Sequence, residues 1–178
     1  MVQACFWSNM FYAMSYPFIH LYLMRGITEK IISFNQITIC ISIIIINNLW
    51  NKFSDKLYKH YQKILLFEGV LYFVLHLGMF LNILTPSLYY IADTLLFCLV
   101  TKNIICGGNK LRSIVYKDEN REKYDNIIPI AAAISTLIGA GIALVFDIKI
   151  EIAFILSWVG IAIDNVFYWF AYNKYKNE

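Results

Sequence analysis

Six long apolar segments, separated by short stretches that hold most of the charge, constrain this chain more than any other feature. They cover residues 4–24, 31–50, 64–84, 87–107, 127–146 and 152–172. Each is close to the ~20 residues that a helix needs to cross the hydrocarbon core of a bilayer. In that solvent every backbone N–H and C=O must be satisfied internally, and a helix does this within one segment. Composition agrees: 60% of the residues are hydrophobic and 15% charged, against about half and a quarter in a soluble domain. The sequence therefore predicts an all-α, polytopic membrane protein with six transmembrane helices, forming a single domain over residues 1–178. The two three-span halves have similar lengths, which points to two inverted repeats.

The distribution of positive charge predicts an orientation. Lys52, Lys56, Lys59 and Lys63 lie between spans two and three, Lys110, Arg112, Lys117, Arg121 and Lys123 between spans four and five, and Lys174 and Lys176 in the tail. The other side holds Arg25, Lys30 and Lys149. This asymmetry puts both termini in the cytoplasm, in a multi-pass protein of a cell membrane. Trp7, Trp50, Tyr168, Trp169 and Tyr172 gather toward the same face, and Tyr89 and Tyr90 toward the opposite one, as interfacial aromatic belts do. The net charge of +3 reads as loops facing anionic lipid rather than as a nucleic-acid footprint. Heavy use of Ile, Asn, Lys and Tyr suggests an AT-rich bacterial genome.

Cys5, Cys40, Cys98 and Cys106 all fall in or beside apolar segments and form no C-x-x-C pair. They read as small buried hydrophobes, with no disulfide, metal or cofactor implied. The first apolar stretch begins almost at Met1, lacks a basic leader and is long enough to span, so it reads as a helix rather than a cleaved signal. Hydrolase, zinc-protease, phosphate-loop and dithiol motifs are missing, which argues against an enzyme.

The segment L-W-N-K-F-S-D-K-L-Y-K-H-Y-Q-K between spans two and three carries a family resemblance. It resembles the loop signature of the major facilitator superfamily: a glycine, an Asp four residues later, a basic residue, a second glycine and two more basic residues. Asp55 and Lys56 match the acidic–basic pair, and Lys59 with His60 the trailing basic pair, while Asn51 and Tyr58 stand where the glycines would be. Span one, G-G-N-K-L-R-S-I-V-Y-K-D after span four and I-G-A-G-I-A-L in span five are similar to other stretches of that family. The resemblance covers the chain but only one six-helix half of a twelve-span member, the N-terminal one. It implies a half-size transporter working by alternating access after forming a homodimer or joining a second half. It also implies that the fifth helix lies at the seam and that helices one and four line the central cavity. Without the family, Asp55 reads either as a cap for the third helix or as a surface counter-charge. The small residues Ala131, Ala132, Ala133, Ser135, Gly139, Gly141 and Ala143 read as a face for close helix packing.

Ionisable groups in hydrocarbon are costly and often mark pathways. Glu68 and His76 in span three, Asp93 and Lys102 in span four and Asp164 in span six are the candidates. Spans three and four form a hairpin around Thr85–Ser87, so Glu68 falls level with Lys102, and His76 with Asp93. Asp93 and Lys102 point to opposite faces of a regular helix. The expectation is therefore a structural Glu68–Lys102 ion pair, with Asp93 facing the interior. Asp164 reads as a partner for cations near the helix end. Asn9, Tyr12, Tyr16 and His20 form one stripe along span one, which reads either as a packing surface or, because Asn and His join the aromatics, as a candidate substrate-facing one. Asn35 and Gln36 read as bonds between helices. The leading function is transport of a small molecule, with proton-coupled efflux through Asp93 and His76. The alternatives are a non-transporting binding or immunity protein with a transporter-derived fold, and a substrate-capture subunit of a vitamin uptake system.

Overall fold

The computed structural model of the protein describes residues 2–116 and 118–176, and at positions 4 and 118–125 the backbone alone. Lys117 lies outside the described residues, as do the side chains of Arg121 and Lys123, all three counted in the charge argument above. The chain is about 90% helix with no strand among the described residues. The helices are α1 (Val2–Met24), α2 (Glu29–Tyr58), α3 (Tyr61–Phe80), α4 (Pro86–Leu96), a π-helical turn (Phe97–Thr101), α5 (Lys102–Val115), α6 (Asp118–Val145) and α7 (Ile150–Tyr175). α4, the π turn and α5 run on as one span, Pro86–Val115. Five spans are long and apolar enough to cross a membrane. The remaining helix, α1, has the length at 23 residues and carries no Asp, Glu, Lys or Arg, but Gln, Asn, Ser and Tyr dilute its apolarity.

α1 packs against α6 and α7, α3 against α7, α2 against the α4–α5 span, and α3 against that same span. The Ser87 hydroxyl donates to the Gly26 carbonyl at 2.5 Å, which sets the α1–α2 and α3–α4 connections side by side. At the other end, Gln62 bonds Asn173 at 2.7 Å, and Lys110 of α5 pairs with Asp55 of α2. That end is here called the terminal face, because α1 starts and α7 ends there. Outward-facing side chains are apolar to an extent that water would not tolerate: Leu144 is 88% exposed, Val145 77% and Leu137 73%. A continuous coat of this kind belongs against lipid.

Local sequence explains the turns. Thr85 accepts a hydrogen bond from the Leu88 N–H at 3.3 Å and is followed by Pro86 at the first helical position, a standard start for α4. Asn82 takes the left-handed conformation (φ 57°) that closes the end of α3, a conformation Asn tolerates better than most residues.

The basic stretch after span two differs from expectation. Residues expected to form a loop continue α2 to Tyr58, bent at Phe53 (φ −129°, ψ 26°), and only Lys59 and His60 separate α2 from α3. With no glycine or proline to stop it, the segment stays helical. Tyr58, where the family signature has its second glycine, stacks on Tyr61 (5.9 Å, 18°) and meets Tyr172 edge-on (5.0 Å). Asp55 does not cap α3, which starts without a side-chain cap; its partner is Lys110. Lys56 and Lys59 are exposed. Part of the expected aromatic belt is also interior. Trp50 and Tyr172 are buried with Tyr58, Tyr61, Leu65 and Leu111, and Trp50 Nε1 donates to Asn103 Oδ1 at 2.8 Å. Amphipathic rings here lock helix ends together and still satisfy their polar atoms.

Two glycines decide how closely α1 can approach its neighbours. A Cβ on Gly139 of α6 would run into the Met10 carbonyl oxygen, and one on Gly160 of α7 would sit 3.0 Å from the Ser8 carbonyl oxygen. The small-residue stretch of α6 is thus used on α1, whereas Gly141 faces open space. Gly139→Ala is expected to cost about 1–3 kcal/mol by overpacking. Gly141→Ala should be neutral or slightly stabilising, since Ala is the better helix former. Unfolding of both variants in detergent, followed by circular dichroism, checks the contrast.

Candidate functional site: a polar groove between α1 and α4

Two apolar clusters divide the bundle along its length. One, toward the terminal face, is built on Trp50, Tyr61, Leu65 and Leu111. The other, toward the opposite face, is built on Ile19, Leu75, Met79 and Phe154. Between and beside them lies a cavity of about 440 Å³, lined from α1, the start of α2, α3, α4, the π turn and α7. It gathers Tyr12, Tyr16 and His20 with Glu68, His76 and Asp93.

α1 supplies the open wall. Tyr12 and Tyr16 have their rings 5.4 Å apart, and His20 stacks on Tyr16 at 5.5 Å and 18°. The i, i+4 spacing produces this stack directly. Tyr12 is 50% exposed and Tyr16 47%, so the stripe fronts a groove rather than a closed core. Asn9 does not join it. Its amide donates to the Cys5 carbonyl at 2.7 Å, and its side chain lines a second, smaller pocket.

α3 supplies the inner wall. His76, 4% exposed, has Nδ1 2.7 Å from the Tyr72 carbonyl and Nε2 3.4 Å from the Tyr89 hydroxyl. The carbonyl can only accept, so Nδ1 carries a proton. His76 and Asp93 line the same cavity, but the direct partner of His76 on α4 is Tyr89. Glu68, also 4% exposed, accepts a hydrogen bond from Thr101 at 2.6 Å.

The expected Glu68–Lys102 pair is therefore replaced by Glu68–Thr101; the ion pair found among the described residues is Lys110–Asp55. The π turn is the physical reason. It takes up one residue more than an α turn, which rotates the following residues back by about 100°. Asp93 and Thr101 would lie about 80° apart on an unbroken α-helix, and the π turn reduces this to roughly 20°. Asp93, Phe97 and Thr101 accordingly line one cavity, while Lys102 turns away from it.

A second pocket, about 210 Å³, opens near the terminal face. Asp164 accepts from the Ser8 hydroxyl at 3.4 Å and shares this pocket with Arg112. Arg112 donates to Asn109 at 3.0 Å, and its buried Nε has no hydrogen-bond partner. A wider groove of about 620 Å³ between α3 and α7 has Asn165 as its one polar lining residue and faces lipid. Asn35, 1% exposed, joins α2 to α4 by donating to the Tyr90 carbonyl at 3.3 Å, whereas Gln36 is exposed. Sequence reasoning missed Tyr72, Thr101 and Arg112. A threonine eight residues after Asp93 carried a signal only if the π turn was known.

Compared with protein-family models, curated proteins and solved structures, the chain matches none.

A groove that holds Asp93 and His20 needs water, because ionisable groups in contact with acyl chains are expensive. With the four native cysteines replaced by serine, Tyr16→Cys is expected to react with a water-soluble maleimide at least about tenfold faster than Leu137→Cys on the lipid-facing coat. Mass spectrometry of the labelled protein in nanodiscs checks this.

Proposed function

We propose that this chain is a six-helix half of a major-facilitator-type transporter, which moves a small molecule by alternating access after pairing with a second copy or a second half. The observation that carries the reading is the groove itself: ionisable and aromatic side chains from α1, α3 and α4 front one open side of a domain whose remaining coat is apolar. Such a stripe gains from being covered by a like surface, with water and solute between.

Two further features support it. The helix neighbours are nearly unchanged when the first three spans are exchanged for the last three. α1–α6 corresponds to the α4–α5 span with α2, α1–α7 to that span with α3, and α3–α7 to itself. The contact between α5 and α7 has no mirror of similar extent. This is the neighbour pattern that an inverted repeat requires. The Lys110–Asp55 pair also joins the signature-like segment of α2 to the end of α5. Proton-coupled efflux in a bacterial cell membrane, with both termini cytoplasmic, is the form of transport we favour.

One observation favours a non-transporting binding or immunity protein instead. Tyr58, where the loop signature has a glycine, is fixed among Tyr61 and Tyr172, which stiffens the terminal face.

Native mass spectrometry of the chain in nanodiscs, combined with uptake of a solute panel into proteoliposomes under a pH gradient, separates the two. The transporter reading expects a dimer and at least one solute whose uptake falls about tenfold or more in a folded Asp93→Asn variant. A monomer that takes up nothing sinks it.

A further inference from the structure

A chain of hydroxyls leads from the buried carboxyl of Glu68 toward the partly exposed carboxyl of Asp93 in the groove. Glu68 accepts from the Thr101 hydroxyl at 2.6 Å. The Tyr72 hydroxyl lies 3.3 Å from Thr101 Oγ1. The Asp93 carboxyl lines the same cavity as Tyr72 and Thr101. A hydroxyl has one proton to donate. If Thr101 donates to Glu68, it must accept from Tyr72. Tyr72 has then spent its proton and can only accept on its groove side, from Asp93 or from water beside it, and Glu68 is the ionised carboxyl. Reversing every bond gives the mirror state, with the proton on Glu68. The Glu68–Thr101 and Thr101–Tyr72 hydrogen bonds are made in either state, and one proton distinguishes them.

We propose that Asp93, Tyr72, Thr101 and Glu68 form a proton wire that carries one proton between the α1–α4 groove and the terminal-face pocket at Asp164. Passage is balanced. A proton is taken up by Asp93 from water in the groove. One O–H bond then breaks as the next forms along Tyr72 and Thr101, and Glu68 receives a proton. No electron moves, and the hydroxyls rotate back before the next passage. On the far side, Asn165 of α7 donates to the Leu65 carbonyl at 3.2 Å, one turn of α3 away from Glu68, and Asp164 is its neighbour in sequence. An amide does not relay protons, so water bridges this step. Asp164 takes the proton into the pocket it shares with Ser8 and Arg112. The other ionisable groups around the wire are His76, Tyr89, Tyr61, Tyr12, Tyr16 and His20. His76 is held by the Tyr72 carbonyl and Tyr89, and Tyr61 donates to the Ile104 carbonyl at 3.2 Å. None of these lies in the line from Asp93 to Glu68. The π turn, which sets Thr101 beneath Asp93, is what closes the wire. π turns of this kind often occur at functional sites.

The wire deepens the transporter reading by naming the route of the coupling ion, but its test needs no solute. The full chain is reconstituted into liposomes loaded with a pH-sensitive dye, and proton uptake is driven by a valinomycin potassium potential. Wild type is expected to conduct protons well above empty vesicles. Tyr72→Phe and Thr101→Val keep shape and charge while removing one hydroxyl each, and each is expected to lower the rate about tenfold or more. Glu68→Gln and Asp164→Asn should do the same, and Glu29→Gln, outside the path, should leave it unchanged. Circular dichroism melts verify that each variant folds; a purely structural hydroxyl would lower the melting temperature without lowering flux. Wild-type flux no greater than that of empty vesicles overturns the wire, as does full flux in folded Tyr72→Phe and Thr101→Val. Either failure leaves solute uptake to be judged separately. Failed solute uptake with proton flux intact would instead remove the transporter reading and leave the wire.

Discussion

Burying a carboxyl among hydrocarbon side chains costs several kcal/mol unless donors meet it, and the middle of this bundle is arranged around that requirement at Glu68. α3 carries the carboxyl, and the π turn presents Thr101 to it. α7 brings Asn165, which donates to the Leu65 carbonyl at 3.2 Å, and Trp158, which donates to the Gly69 carbonyl at 3.2 Å, so that α7 is tied to α3 on either side of Glu68. Above and below, the aromatic and aliphatic clusters are continuous. The polar layer is therefore flanked by apolar packing on two sides and is open on the side of the α1–α4 groove. Position along the membrane normal and access to water follow from the same arrangement.

The small residues make that arrangement possible. α1 could not lie close to both α6 and α7 if Gly139 and Gly160 carried side chains. At the terminal face Gly107 and Gly108 leave room for the Tyr61 and Tyr168 rings. Dispersion contacts of this density matter more in lipid than in water, because no hydrophobic driving force pushes the helices together. With α1 held on α6 and α7, its opposite side is left facing α4 across a gap. The stripe of Tyr12, Tyr16 and His20 lies along that gap. Tight packing on one side of α1 and an open groove on the other are two consequences of where its small neighbours lie.

Much of this was legible in the sequence, for identifiable reasons. Apolar run length gives helices in a bilayer with little ambiguity, and the i, i+4 spacing of Tyr12, Tyr16 and His20 gives their shared face. Intramembrane charge singled out Glu68, His76 and Asp93, which the fold brings to one cavity. What escaped was register. The depth argument placed Glu68 within one residue of its partner, but it paired Glu68 with Lys102 and, with an unbroken α-helix across residues 97–101, set Asp93 on the opposite face. A single extra residue in one turn is invisible to hydropathy. The end of α2 escaped for a different reason. Lysines and aspartate suggested a loop, but charge alone does not end a helix, and Tyr58 had a buried aromatic site waiting. Asn9 was assigned to the stripe by spacing, and its short side chain bonded its own helix instead.

The same register shift bears on how two carboxyls come to share hydroxyl partners. On a regular helix Asp93 and Thr101 would diverge, and α3 could offer Tyr72 to one of them but not both. Tyr72 and Glu68, four residues apart, stack on one face of α3, and the π turn gives the opposing helix a matching face at 93, 97 and 101. The two helices then exchange hydrogen bonds at His76–Tyr89, Tyr72–Thr101 and Glu68–Thr101. A π turn gives up part of the regular backbone ladder, so its retention here is offset by the side-chain bonds it completes. Relaxing the turn to α-helix would swing Thr101 away from Glu68 and bring Val100 round in its place, leaving the carboxyl without its hydroxyl donor. Whether this core transmits protons or only holds helices together thus turns on the backbone geometry of five residues.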